Sequence, residues 1–257
     1  MMSTPFCKAS KGTMEMRSVN LIGRATHGPE DIVEPMTATP KVAAKRPRNA
    51  QATRERILKI ASKEFAAHGY DGARIDAIVA RCKISKNLIY HYFASKEALF
   101  IEVMELAYGA MRERQNELAL TGEDPVADMR ELVLKTTQHF IDQPDFLQLL
   151  STENLHKAVH IRKSKTIAAM FNPLRTALAD VLEKGKQKGV FRADADWVDL
   201  YVSISGLGSY FITNRYTLSY VLDVDLGAGE RIKSRTAHVA DMVISYLCDL
   251  GPGAKRI

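Results

Sequence analysis

Between positions 85 and 91 the chain reads SKNLIYH. Seven residues thus supply the hydroxyl of Ser85, the ammonium of Lys86, the amide of Asn87, the phenol of Tyr90 and the imidazole of His91. On a helix, residues four apart share a side, which sets Lys86 beside Tyr90 and Asn87 beside His91. No carboxylate accompanies them within this stretch. Groups that donate hydrogen bonds and carry positive charge suit phosphate oxygens and base edges of a duplex. Ile84, Leu88, Ile89 and Phe93 are apolar, so another side of the same short segment is built for burial.

A helix this short cannot stand alone in water, and neighbouring elements must hold it. The periodicity predicts a first helix over 51–69, with Ile57, Ile60, Ala61 and Phe65 on one face and Gly69 ending it. A second follows over 75–81, where Ile75, Ile78, Val79 and Cys82 form a stripe. After the break CKIS, Ser85 is placed to cap a third helix running to Tyr92. Ser95 can cap a fourth, whose apolar positions recur to Met111 and which ends near Leu120. Two short helices across a tight turn are the helix-turn-helix arrangement, whose recognition helix fits a major groove about 12 Å wide.

Charge agrees with an anionic partner at this end. The net charge is +6, with 8 Lys/Arg against 4 Asp/Glu in residues 1–49, 9 against 5 in 50–99, and 17 against 17 in 121–257. Residues 1–49 hold scattered Gly, Pro, Ser and Thr without a sustained period, and read as a basic disordered tail. Its end, with Lys41, Lys45, Arg46 and Arg48, suits an arm along phosphates or a solubilising tail. Cys7, Cys82 and Cys248 lie far apart, which indicates neither a disulfide framework nor a zinc site. No run of about 18 uncharged apolar residues occurs, so no membrane partner is expected and the cytoplasm is the expected compartment.

The run RERILKIASKEFAAHGYDGARIDAIVARCKISKNLIYHYFASKEALF resembles the N-terminal domain of the TetR family of transcriptional regulators: helix, Gly-Tyr, helix, turn, then S-K-x-x-x-Y-x-x-F-x-S-K-E-x-L. The resemblance implies that Ser85, Lys86 and Asn87 enter the major groove while Tyr90 and His91 touch the backbone. It also implies that Lys96 contacts a phosphate at the start of the fourth helix. The chain departs from the family pattern twice: Lys83 stands where a turn glycine is usual, and Ala73-Arg74 where a Thr or Ser caps the second helix. Arg74 is then expected to replace the missing phosphate contact with a charge.

Beyond Pro125, further helices are predicted over 126–141, 145–157, 161–188, 195–217 and 229–249, with no strand-like alternation. The expected fold is all-α: a tail over 1–49, a helix-turn-helix domain over 50–97 and a helical domain over 98–257. By resemblance the last part dimerises and holds a small-molecule effector that releases the protein from a palindromic operator. The helices around Val198–Gly208 and Val239–Tyr246, with small residues in SISGLGS, are expected to pair with a second copy. Candidate effector contacts are Phe140, Phe146, Asn154, Phe171, Arg175, Tyr210 and Asn214, supported by Leu150, Met170 and Phe211.

Another class of function stays open on the residues alone, a helical enzyme or metal-binding protein with a basic surface. Its best metal candidates are Glu153, His156 and His160, yet the order is not H-E-x-x-H and no thiol joins them. No phosphate-cradling loop, nucleophile elbow or triad spacing is present either. Neither catalysis, a metal nor another cofactor is therefore expected.

Overall fold

The structure, a computed structural model, describes residues 46–116, 118 and 120–249. The expected tail over 1–49 lies outside these residues as far as position 45. Helix α1 (Arg46–Gly72) begins earlier than the apolar stripe suggested and includes 46–49. At Gly69 the backbone takes φ 68°, ψ −179°, a conformation essentially confined to glycine. The helix direction breaks there, and one more turn carries Tyr70. Helices α2 (Ile75–Cys82), α3 (Lys86–Tyr92) and α4 (Lys96–Asn116) follow the predicted order. Ile57, Phe65, Ile78, Ile89, Phe93 and Phe100 are fully buried between them.

Both departures from the family pattern have structural consequences. Lys83 sits in the left-handed region at φ 51°, ψ 48°, and its N–H and that of Ile84 bond the carbonyls of Ala80 and Val79 to close α2. A side chain in this conformation costs about 1 kcal/mol that glycine would not incur. Lys83→Gly is therefore expected to raise the stability by about 1 kcal/mol. A lower urea midpoint for that variant would contradict the reading. At the start of α2 no side chain caps the helix. Instead the buried carboxylate of Glu64 on α1 accepts the Arg74 N–H at 3.2 Å. Its other oxygen is 3.1 Å from the Arg81 guanidinium, an ion pair without hydrogen-bond alignment, so one acid ties both ends of α2 to α1.

The second half comprises α5 (Pro125–Asp142), α6 (Pro144–Leu155), a 3-10 turn (Ile161–Lys163), α7 (Ile167–Gln187), α8 (Trp197–Thr213), α9 (Arg215–Leu222) and α10 (Gly229–Cys248). Among the described residues there is no strand. Helix α5 is central and packs on α7, α8 and α10 through Met129, Leu132, Val133 and Phe140. Asp124 starts it by accepting the N–H groups of Val126 and Ala127, and Asp196 does the same for α8.

Two expected long helices are each divided, and local side-chain chemistry explains both breaks. Ser164 is extended and its hydroxyl accepts the N–H groups of Thr166 and Ile167, so the helix restarts after the 3-10 turn. At the second break Thr213 and Asn214 donate to the carbonyls of Ser209 and Tyr210, which separates α8 from α9. Helix α4 spans both halves. Its Leu99, Phe100, Val103 and Met104 join the N-terminal core, whereas Met111 joins the C-terminal one. Leu149 of α6 and Ile167 of α7 reach back into the first core, leaving no clean boundary at position 97.

Candidate nucleic-acid interface and effector cavity

Helix α3 presents its polar residues outward because Ile89 and Phe93 anchor its other side. Ser85, Lys86, Asn87, Tyr90 and His91 are all exposed, and exposed Arg74 precedes the neighbouring helix. Ser85 Oγ accepts the Leu88 N–H at 3.3 Å, so it caps α3 while its own O–H stays available as a donor. The face is not free of acid, contrary to the expectation from the segment alone. Asp76 of α2 lies 2.9 Å from Lys86 Nζ across the turn. Their hydrogen bond, reinforced by charge attraction, holds the lysine pKa above its ordinary value and the aspartate below.

Lys96 is engaged inwardly. Its ammonium donates to the Asp71 carbonyl at 3.3 Å and lies 5.0 Å from the centre of the Tyr70 ring. An ammonium has three donors, so this contact leaves capacity for a phosphate. Ser95 caps α4 by accepting the Ala98 N–H at 3.0 Å.

Tyr70, brought in by the break at Gly69, belongs to a cluster that joins α1 and α4 to α6. Its ring is 4.2 Å from that of His160 and 5.2 Å from Phe100. Buried Glu153 accepts the N–H groups of His160 and Ile161 at 2.8 and 3.0 Å, and its second oxygen is 2.7 Å from His160 Nδ1. His156 turns the other way, with Nδ1 on the Thr152 carbonyl and Nε2 3.0 Å from Asp71. The backbone hydrogen bond to Thr152 and the bond to Asp71 hold the His156 pKa above its ordinary value. Glu153, His156 and His160 thus serve the junction between the two halves. Among the described residues no group of three or more His, Cys, Asp or Glu is arranged to hold a metal ion.

A partly open cavity of about 100 Å3 lies among α4, α5, α6, α7 and α8. Of the residues nominated from the sequence, Phe140, Phe146, Leu150 and Phe171 line it. The other candidates point elsewhere. Asn154 is exposed and bonds the Leu150 carbonyl, and Arg175 lies 5.1 Å over the Trp197 ring. Tyr210 is exposed and lines a groove beside α9 and α10, and Asn214 bonds back to α8. Asn154 and Arg175 lie one turn beyond the lining residues Leu150 and Phe171, and Asn214 lies past the end of α8. Tyr108, Met111, Arg112, Leu147, Tyr201, Ser205 and Ser209 complete the wall. Arg112 was legible as a cation one residue beyond Met111 and four beyond Tyr108 on an apolar stripe.

An exposed, carefully capped recognition helix on an all-helical body defines a helix-turn-helix DNA-binding regulator. Comparison with known proteins agrees with this class. The family described as bacterial regulatory proteins, tetR family, matches residues 57–103, and the tetracyclin repressor-like C-terminal domain matches 125–243. The HTH-type transcriptional repressor NicS of Pseudomonas putida is 36% identical over 202 residues, 79% of this chain and 95% of that protein. The crystal structure of HlyIIR, a hemolysin II transcriptional regulator, is 25% identical with a TM-score of 0.55, covering 78% of this chain and 99% of that one. PfmR from Thermus thermophilus, at 19% identity and a TM-score of 0.58 over 74% of this chain and 97% of its own, shares the fold. The chain belongs to the TetR family of transcriptional regulators. These are DNA-binding proteins and not enzymes. No helix among the described residues is long and apolar enough to cross a membrane.

Proposed function

We propose that the chain is a dimeric transcriptional repressor that a small molecule releases from a palindromic operator. The observation that carries this reading is the exposed row Lys86, Asn87, Tyr90 and His91 on a helix fixed by the Ser85 cap and the Ile89 and Phe93 anchors. In a dimer two such heads would read successive major grooves about 34–36 Å apart. Ser85, Lys86 and Asn87 reach base edges, while Arg74, Tyr90, His91 and Lys96 hold phosphates. Repression follows the role of the Pseudomonas putida relative, a transcriptional repressor.

The second copy docks on the outer faces of α8 and α10. Val198, Val202, Met242 and Tyr246 are large apolar residues left exposed there, and the surface around Gly206 is open. The inward residues of the expected interface have another task. A Cβ at Gly208 would be 3.2 Å from both Phe140 and Thr137, so its small size serves the approach of α8 to α5 within one subunit. Effector binding acts through α4, which lines the cavity and also packs inside the DNA-binding head. An effector that favours a different separation of the heads weakens operator binding by the difference in its own affinity for the two states.

Fluorescence anisotropy with duplexes from a randomised pool tests the reading. The expected result is enrichment of a two-fold-related site with half-sites about 10 base pairs apart. Affinity for that site should fall at least tenfold between about 50 and 200 mM salt. A pool with no enriched sequence would overturn the operator assignment, and a monomer at micromolar concentration in sedimentation would overturn the dimer.

A further inference from the structure

The ring of His156, the residue that closes α6, has an acceptor on each side. Nδ1 is 2.9 Å from the Thr152 carbonyl and Nε2 is 3.0 Å from the Asp71 carboxylate. A neutral imidazole carries one N–H and can serve only one of them, whereas the imidazolium carries two and serves both. The acceptors belong to different halves of the molecule. Thr152 is in the last turn of α6, and Asp71 is in the last turn of α1, beyond the break at Gly69. The Asp71 carbonyl also receives the Lys96 ammonium, so the same residue meets both His156 and the lysine read as a phosphate contact.

Charged and titratable groups face the ring from each element around it. Tyr70 and Asp71 come from α1, Glu153 from α6 and His160 from the segment that follows. Lys96 of α4 stands beyond Tyr70, and Lys163 of the 3-10 turn is paired with Glu97. Glu153 is occupied by His160 and two backbone N–H groups, which leaves Asp71 as the acid that His156 answers. Between the two histidines, Lys157 and Ala158 take left-handed φ values of 57° and 61°. Non-glycine residues keep such a conformation only where contacts on either side impose it, as those of His156 and Glu153 do here.

We propose that His156 is a proton-operated tie between the C-terminal domain and the DNA-binding head: its imidazolium holds Asp71 and favours the operator, and the neutral ring releases Asp71. The effect on DNA rests on the operator reading; the tie itself does not. Asp71 is exposed beside Lys96, where a free carboxylate repels the phosphate backbone and a neighbouring imidazolium offsets it. A partly screened charge of this kind is worth a factor of about two in each head, hence about fourfold in a dimer. Because the Thr152 and Asp71 contacts raise the folded pKa, the tie contributes stability that is complete below the ordinary value of 6.5 and lost as pH rises through the raised one.

Three measurements on the full chain test this, with His156→Gln and Asp71→Asn beside wild type. In histidine carbon-13 spectra the resonance missing from His156→Gln should titrate above the ordinary histidine value, and its midpoint should fall in Asp71→Asn. The melting-temperature advantage of wild type over His156→Gln should be larger at about pH 6 than at about pH 8. Operator anisotropy at fixed salt should show wild type gaining about fourfold more affinity than His156→Gln between the same two conditions. His91 and the other histidines titrate in both proteins, so only the difference is read. Asp71→Asn, at an exposed position, serves if His156→Gln does not fold, and should bind the operator more tightly than wild type at about pH 8. A His156 midpoint at or below the ordinary value, or equal pH responses of wild type and His156→Gln at the operator, would overturn the proposal. If no operator sequence is enriched, the operator reading fails, and the ring titration with the melts decides the tie by itself.

Discussion

Alanine at position 86 should lower operator affinity by about 2–6 kcal/mol, roughly 30-fold to 10^4-fold. One specific base contact is worth about 1–3 kcal/mol, and a dimer loses it in both heads. Two effects combine in this variant. The ammonium is lost from the N-terminal end of α3, and Asp76, its partner at 2.9 Å, is left as an unpaired negative charge facing DNA. The double variant Lys86→Ala with Asp76→Asn separates them, because only the repulsive part is recovered. Asp76→Asn alone should raise affinity modestly by releasing Lys86. Anisotropy of Lys86→Ala within twofold of wild type, with the dimer intact, would mean that another surface meets the operator.

Removal of the Glu153 carboxylate should destabilise the fold by about 3–5 kcal/mol, the usual consequence of breaking a buried pair on one side. The carboxylate satisfies two backbone N–H groups and the His160 ring nitrogen, all at 3.0 Å or less. Alanine would take the acceptor away from these groups. At about 2–4 °C per kcal/mol for a chain of this size, the melting temperature should drop by roughly 10 °C. Glu153→Gln keeps an acceptor for the backbone groups and should lose less than half as much. The damage also reaches the DNA-binding head, since the His160 ring supports Tyr70 and hence the last turn of α1. A Glu153→Ala melt within 2 °C of wild type, about 1 kcal/mol or less, would show that the cluster contributes little.

Much of the DNA-binding head was legible because its determinants are local. The stripe Ile75, Ile78, Cys82 sets which side of α2 is buried, Ser85 starts α3 through a hydroxyl three residues from its partner, and Ser95 repeats the device for α4. The outward set on α3 follows from the same periodicity. The breaks at Ser164 and Asn214 were also local, yet they arise from competition between side chains and backbone, which apolar spacing does not register.

The C-terminal site was only half legible. Aromatic residues on α5, α6 and α7 could be nominated by type, and four of the nominated side chains line the cavity. Arg175 and Asn154 lie one turn beyond Phe171 and Leu150, Tyr210 lines another groove and Asn214 follows the end of α8, because periodicity says which residues share a side but not where along the helix the neighbouring elements leave a cavity.

By itself, then, the sequence determined the all-helical class, the order of the first four helices, their caps and the polar set on α3. These depend on contacts within a few residues. Tertiary structure alone decided that Asp76 restrains Lys86, that Gly208 faces α5 and that the break at Gly69 brings Tyr70 onto His160. It also decided that Arg112 of α4 lies on the wall of a largely aromatic cavity. Each of these joins residues from different helices, and the cost of burying a charge or closing a gap is set by what the other helix brings.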